Sequence, residues 1–424
     1  MRFEPSLSFA RKLDQQDPLR SYRKKFHIPR VRGKEAIYLT GNSLGLQPKS
    51  AEAFVTQELS DWARLGVEGH VHGKRPWLYY HHLFKKQIAS IVGAKESEVV
   101  SMNQLTVNLH LMLASFYKPS SSRFKIIAES GAFSSDQYAI ESQIQLHGRS
   151  AREALIEVQP RAGESCLNLQ DILETINKHG NETALILFGG VQYYTGQRFD
   201  VRSITRAGHE AGAIVGFDMA HAIGNVPLSL HDDDVDFAVW CGYKYLNGGP
   251  GAVAGAFIHE RHGSATGRHR LAGWWGSDES VRFQMKKEFN PIPGADGWQV
   301  SNFPVLSGAP LLASLGIFRQ AGMKNLRKKS ILLTGYLAFL LREIDPKQKH
   351  FLIITPAEPE ERGCQLSILT KGNGRKIFES LTRSGVICDW REPDVIRVAP
   401  VPLYNKFEEV YRFAEIIGKS VRLT

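Results

Sequence analysis

Residues 235–260 read VDFAVWCGYKYLNGGPGAVAGAFIHE. A near-continuous apolar run ends at Cys241, Gly-Tyr-Lys-Tyr follows, then the flexible Asn-Gly-Gly-Pro-Gly, then a second apolar run. Short runs of this kind, bounded by glycine and proline, are the pattern of strands buried on both faces. Lys244 therefore sits between two buried strands, walled by Trp240, Tyr243 and Tyr245. Burial disfavours the charged form of a lysine, and an amine so tuned is what a Schiff base to an aldehyde requires. A lysine that snorkels from a strand end to solvent is the alternative. This stretch alone does not choose between them.

The preceding stretch, GAIVGFDMAHAIGNVPL at 212–228, decides it. Asp218 closes an apolar strand and His221 follows three residues later. An acid at that depth needs a cationic or hydrogen-bonded partner, because an unpaired buried carboxylate is costly. A pyridinium nitrogen is such a partner, and the ion pair keeps it protonated so that the ring acts as an electron sink. The competing role for Asp218 is a helix N-cap, and for His221 a packed loop histidine. An Asp followed 26 residues later by a Lys, each at a strand end, has the spacing of pyridoxal-phosphate enzymes of the aspartate-aminotransferase fold, fold type I.

Working outward, the middle of the chain alternates apolar β-rich runs with amphipathic stretches, which predicts an α/β fold with a mainly parallel sheet. Expected strands are 124–128, 184–188, 214–217, 237–241 and 252–258; expected helices are 136–146, 169–178 and 201–211. Ligands in such folds sit beyond the carboxyl ends of the strands. After about Pro310 the pattern changes to two helices, 311–321 and 325–344, and then to strands at 351–355, 365–368 and 395–399. The expected organisation is an N-terminal segment, 1–46, associated with the small domain; a large cofactor-binding domain, 47–308, with a sheet of the seven-stranded type; and a smaller α+β domain, 309–424.

Composition supports a soluble globular enzyme. The chain has 424 residues, more than one core usually serves, with 42% apolar and 23% charged residues. No stretch approaches the roughly 18 uninterrupted apolar residues of a membrane span, and the N-terminus, MRFEPSLSFARKLDQQDPLR, has no apolar h-region while carrying acids that argue against a mitochondrial presequence. A cytoplasmic location is the expectation. The cysteines, Cys166, Cys241, Cys364 and Cys388, are far apart, which suits a reducing compartment and supports neither a disulfide framework nor a zinc site. No HExxH is present, and no metal is expected. The formal charge of +10 reads as a solvated basic surface; its densest runs, near residue 20 and at 324–329, are short and separate, unlike a nucleic-acid face.

Ten further blocks, in order, carry a closer resemblance: YLTGNSLGLQPK (38–49), GHVHGKRPW (69–77), MNQLTVNLHLML (102–113), AFSSDQYAIESQIQLHG (132–148), YYTGQRFD (193–200), GFDMAHAIGN (216–225), GYKYLNGGPG (242–251), GWWG (273–276), SNFPV (301–305) and VIRVAPVPLYN (395–405). Together they resemble the kynureninase family, from about residue 38 to the C-terminus. The resemblance implies pyridoxal phosphate held as a Schiff base on Lys244, with Asp218 on the ring nitrogen and His221 at the ring. It implies that Leu105 and Thr106 hold the phosphate, a role suited to a helix N-terminus. Phe133 matches a ring-stacking aromatic in the segment Phe133, Ser134, Ser135, Asp136, which places a carboxylate nearby and lacks the proline often found between Phe and Asp. Tyr243 matches a phosphate-bonding phenol proposed as proton donor and acceptor. Trp274 matches a phosphate-contacting indole and Asn302 a substrate-side amide, both given by a neighbouring subunit, which implies a homodimer with shared active sites. Gly189 stands where animal relatives carry a serine, putting one side-chain hydrogen bond in doubt.

On the substrate side, Arg397 in the apolar strand VIRVAP matches an arginine clamping the substrate α-carboxylate, for which a guanidinium fork is fitted; a structural ion pair is the alternative. Asn42 and Ser43 belong to the loop near that carboxylate. His70, Ser301 and Asn302 resemble the set in members preferring 3-hydroxykynurenine, although His70 also has a bland role in ordering the GKRPW loop. The implied activity is hydrolytic Cβ–Cγ cleavage of L-3-hydroxykynurenine, and of L-kynurenine, to 3-hydroxyanthranilate or anthranilate plus L-alanine, in tryptophan degradation by the kynurenine pathway that also feeds NAD biosynthesis. The rivals are a cysteine desulfurase, which needs a mobile nucleophilic cysteine, an aminotransferase, and a basic nucleic-acid-binding protein on an inactive version of the fold.

Overall fold

The computed structural model describes residues 2–264 and 268–422. Seven strands form one sheet: β1 (Val99–Ser101), β2 (Lys125–Glu129), β3 (Leu155–Val158), β4 (Thr183–Gly189), β5 (Ile214–Asp218), β6 (Phe237–Trp240) and β7 (Gly255–Ile258). Their spatial order is β1-β7-β6-β5-β4-β2-β3. Strands β6, β5, β4, β2 and β3 pair in parallel, and β7 runs antiparallel to both its neighbours. The expected mainly parallel α/β sheet is what the chain forms. Strands β1 and β3 are short and fell outside the expected set.

Strands β5, β6 and β7 read as continuous apolar runs because helices cover both faces of the sheet. Alternate residues point to opposite sides. Ile186, Phe188, Val215 and Phe217 join one apolar layer, while Leu185, Leu187, Val239 and Ala256 join the other. Of the crossover helices Ser134–Leu146, Leu169–His179 and Val201–Glu210, the last two start with side-chain caps: Asn168 accepts from the Gln170 N–H at 2.9 Å and Asp200 from the Ser203 N–H at 3.1 Å. Gly216 lies opposite Phe237 in the β5–β6 register, and a Cβ there would collide with the Phe237 ring.

A second sheet, β8 (Phe351–Ile353), β9 (Leu366–Thr370), β10 (Asp389–Arg391) and β11 (Val395–Val398), is antiparallel in the order β8-β9-β11-β10. Its core takes Leu337 and Leu341 from helix Met323–Ile344 and Val410, Phe413 and Ile417 from helix Phe407–Arg422. The N-terminal helix Leu7–Gln16 joins this core through Ala10 and Leu13, and Asp17 pairs with buried Lys329 at 2.7 Å. The division expected at residue 309 falls inside helix Val305–Ala321, whose Leu311, Leu315 and Phe318 pack into the large-sheet core. The change of core comes one helix later, because that helix packs on helices Ala51–Leu65 and His82–Val92 of the large domain. Among the described residues, no helix is long and apolar enough to cross a membrane.

Gly216→Val should lower stability by about 1–3 kcal/mol through overpacking against Phe237, read as a fall in the urea midpoint at unchanged slope.

Candidate active site

Strands β2, β4, β5 and β6 are parallel, so their carboxyl ends lie on one edge of the sheet, and those ends deliver Glu129, Gly189, Asp218 and, four residues past Trp240, Lys244. Residues far apart in the chain thus meet by topology alone. They line one cavity together with Leu105, Thr106, Phe133, Ser135, Asp136, His221 and Tyr243, so ten of the expected site residues converge. Ser134 adjoins this wall without lining it, at the first turn of helix Ser134–Leu146.

The Lys244 Nζ lies 2.9 Å from His221 Nε2 and 5.7 Å from the Phe133 ring centre. Burial, then the Lys244 charge, holds His221 well below the usual imidazole range. His221 is therefore neutral and accepts a hydrogen bond from the ammonium, leaving its Nδ1 as the donor nitrogen, and that nitrogen has no partner. Asp218 accepts the Ala220 N–H at 2.7 Å. Burial raises its carboxyl, while the Lys244 charge and a hydrogen bond from Asp136 act the other way. Asp136 is pushed well above the carboxylate range by burial and then by the Asp218 charge. The pair shares one proton, carried on Asp136, as two buried carboxyls in contact must. Asp136 Oδ1 has no partner.

At the opposite end, helix Leu105–Phe116 begins at Gln104 with no side-chain cap, so its first N–H groups are free for an anion. Thr106 stands in that turn. Burial pushes the Tyr243 phenol upward, as does neighbouring Cys241, so Tyr243 is a neutral hydroxyl. The loop holding Asn42 and Ser43 docks beneath it: the Gly45 N–H donates to the Tyr243 carbonyl at 2.8 Å, and a side chain at 45 would strike the Lys244 carbonyl and Asn247.

Arg397, on β11, is fully buried beside this site. Its Nη2 pairs with Asp389, its Nη1 donates to the Tyr193 carbonyl at 2.6 Å, and its Nε is unpartnered. Gln365 donates to the same carbonyl at 3.0 Å and accepts from Asn42 Nδ2 at 2.8 Å. The arginine thus stands ready near the site with Asp389 on its fork. His70 and Asn302 line a separate cavity with Glu58, Trp62, Trp77 and Trp275, and Ser301 is the exposed neighbour of Asn302. Trp274 is half exposed and donates to the Arg282 carbonyl at 3.2 Å. None of these four lines the Lys244 cavity of its own chain.

Four cavity residues, Glu129, Val191, Tyr193 and Ala220, escaped the sequence-based expectations, and two of them are titratable. Glu129 reads as the polar end of an apolar strand, and Tyr193 as a loop aromatic; Tyr193 packs edge-on against Phe133 at 5.2 Å. The only available signal was position, since both follow carboxyl ends of parallel strands.

These residues fit the phosphorylated pyridine aldehyde that the resemblance implies: an amine, an acid pair lacking a ring cation, an aromatic face and an uncapped helix start. The fold and edge site are those of the class-V aminotransferases, whose family profile matches residues 38–268. The profile of the kynureninase C-terminal domain matches residues 326–417. The chain is 55% identical over 421 residues to a kynureninase from Myxococcus xanthus, covering 99% of this chain and 98% of that one. It is 52% identical over 422 residues to a kynureninase from Flavobacterium psychrophilum, covering 99% of each. The protein belongs to the kynureninase family and is an enzyme of that kind. In fold it is similar to an apo cysteine desulfurase from Thermococcus onnurineus NA1, with a TM-score of 0.76 at 17% identity, covering 95% of this chain and 98% of that one.

Asp389→Ala should destabilise the protein by about 3–5 kcal/mol, because it leaves the Arg397 charge buried and unpaired. Adding Arg397→Met should restore part of that loss in urea unfolding.

Proposed function

We propose that the protein hydrolyses the Cβ–Cγ bond of L-3-hydroxykynurenine, and less efficiently of L-kynurenine, releasing 3-hydroxyanthranilate or anthranilate and L-alanine. The supporting observation is the convergence of the Lys244 amine, the Asp218–Asp136 pair and the Phe133 ring in one buried cavity. Pyridoxal phosphate, when bound, supplies a carbonyl that condenses with amines and a ring that accepts electrons from the substrate α-carbon. Lys244 carries it as a Schiff base. The enzyme works as a cytoplasmic homodimer with shared sites, in tryptophan degradation.

Each side chain then has a task at a stated atom. Asp218 holds a proton on the cofactor's ring nitrogen by ion pairing, with Asp136 as its hydrogen-bonded support. Phe133 covers one ring face and excludes water. The N–H groups at Leu105 and Thr106, the Thr106 hydroxyl and the Tyr243 phenol hold the phosphate. Lys244 Nζ would hold the cofactor's carbonyl carbon and, as a free amine, would accept the substrate α-proton. Neutral His221 stabilises that amine without adding a second positive charge. Tyr243 Oη carries a proton to and from the γ-carbonyl as water adds and the Cβ–Cγ bond breaks. Arg397 exchanges Asp389 for the substrate α-carboxylate, assisted by Asn42 and Ser43.

His70, Ser301 and Asn302, with Trp274, reach the site of the partner subunit. An imidazole and two small polar groups hydrogen-bond the ring hydroxyl of 3-hydroxykynurenine, which kynurenine lacks. A site built to bond a hydroxyl discriminates against the analogue without it.

Lys244→Ala should lack the visible absorbance of the bound cofactor, incorporate no borohydride label at residue 244, and lose at least about a thousandfold in turnover; full activity in this variant refutes the assignment. Wild-type kcat/KM should be higher for 3-hydroxykynurenine than for kynurenine, and His70→Ala should narrow that ratio by roughly fivefold, the worth of one hydrogen bond. Equal or better efficiency on kynurenine would retire the substrate preference.

A further inference from the structure

The mechanism leaves one buried titratable group of the cavity without a task. Glu129 ends β2 inside the cavity at 5% exposure. Its Oε1 accepts the Gly189 N–H at 3.1 Å, and its Oε2 is buried with no partner. Gly189 is part of this arrangement: a Cβ there would stand 2.9 Å from Glu129 Oε1, so a side chain at 189 would push the carboxyl aside.

The surroundings decide which form Glu129 takes. Asp218 faces it from β5 and Asp136 from helix Ser134–Leu146. His221, Tyr193, Tyr243 and Lys244 share the cavity with it, and the single ammonium is already engaged by His221 and balanced by the aspartate pair. A third carboxylate here would be anionic with one backbone N–H as its sole donor. The oxygen accepting that N–H is the carbonyl oxygen of the neutral acid, which puts the proton on Oε2, the atom lacking a partner. A buried hydroxyl donor is rarely left unpaired. Glu129 is one of the residues lining the cavity.

We infer that Glu129 is a cofactor-binding residue, carried as the neutral acid, whose Oε2–H is a hydrogen-bond donor to bound pyridoxal phosphate. The inference rests on the cofactor assignment proposed above. Burial pushes the Glu129 carboxyl up to about 8, and the Asp218 charge adds to this. The donor is therefore present below about pH 8 and is lost as pH rises through that value, when a third negative charge enters the cavity.

The test uses full-length protein stripped of cofactor and titrated with pyridoxal phosphate between pH 6 and 9, for wild type, Glu129→Gln, Glu129→Ala and Gly189→Ala. Wild-type affinity should weaken above pH 8. Glu129→Gln, a neutral isostere that keeps a donor, should bind within about threefold of wild type at pH 7 and lose the weakening step. Glu129→Ala should bind at least about tenfold more weakly, and Gly189→Ala, which displaces the carboxyl, should fall between. Should the alanine variant fail to fold, an infrared difference spectrum of wild type against Glu129→Gln keeps the question open to decision. It should contain a protonated-carboxyl stretch that shifts when pyridoxal phosphate is added. With borohydride label at Lys244 in place, a spectrum without that band, or a band that ignores pyridoxal phosphate, overturns the inference alone. Absence of label at Lys244 in wild type overturns the cofactor assignment beneath it, and the inference with it.

Discussion

The balance of charge at the carboxyl edge of the large sheet is the constraint on which the rest depends. One ammonium, from Lys244, faces a buried pair, Asp218 and Asp136, that shares a proton. Burying such groups costs several kcal/mol per ion before any partner is found. The protein recovers this from the surrounding core: β4, β5, β6 and β7 are buried almost throughout. A parallel sheet suits the task because successive strands end on the same side. Loops after β2, β4, β5 and β6 can then place an acid, a glycine, a second acid and a lysine within one cavity. The ammonium balances the one negative charge that the pair retains.

The small domain completes the site through a chain of hydrogen bonds, with no large apolar contact needed at that point. Asn42 bonds Gln365, Gln365 bonds the Tyr193 carbonyl, and Arg397 bonds the same carbonyl while pairing with Asp389. Tyr193 in turn packs on Phe133. Any movement of β9 or β11 therefore reaches the aromatic wall of the cavity through one carbonyl oxygen. An arginine held by an aspartate and a carbonyl keeps its charge paired although it is fully buried.

Much of this was legible in the sequence, and the remainder was hidden for physical reasons. Lys244 and Asp218 stood out because a charged residue closing a long apolar run has few innocent explanations. Glu129 closes such a run too, yet IIAES resembles an ordinary strand leaving the core, and only the parallel pairing of β2 with β4 places it beside Asp218. Asp389 could not be assigned to Arg397 because their meeting depends on the antiparallel register of β10 with β11, and β10 is only three residues long. Strand β1 was missed because it has only three residues, and β3 because it is a partly exposed edge strand interrupted by Glu157, with no continuous apolar run. The helix expected at 311–321 went with the small domain because its apolar residues do not reveal which core they enter; it spans Val305–Ala321 and joins the core of the large sheet. The separation of His70 and Asn302 from Lys244 within one chain is likewise a tertiary fact.

The likeness to cysteine desulfurases shows how little the backbone alone decides. A chain 17% identical shares the fold at a TM-score of 0.76. A cysteine acts as a nucleophile only as an accessible thiolate. Cys364 is fully buried, and burial pushes its thiol up to about 12, with a hydrogen bond to Tyr245 as the next influence. Its backbone N–H is tied to Asn225 at 2.9 Å. Cys388 and Cys166 are likewise raised by burial, to about 12 and about 11. A thiol in that state is a small apolar side chain, for thiolate and not thiol is the nucleophile. The cavity instead presents neutral hydroxyl and carboxyl protons around a single amine, a set suited to moving protons on and off carbon and oxygen. Specificity of reaction thus lies in which proton donors and acceptors the strand ends deliver, and in this chain every one of them is an oxygen or a nitrogen.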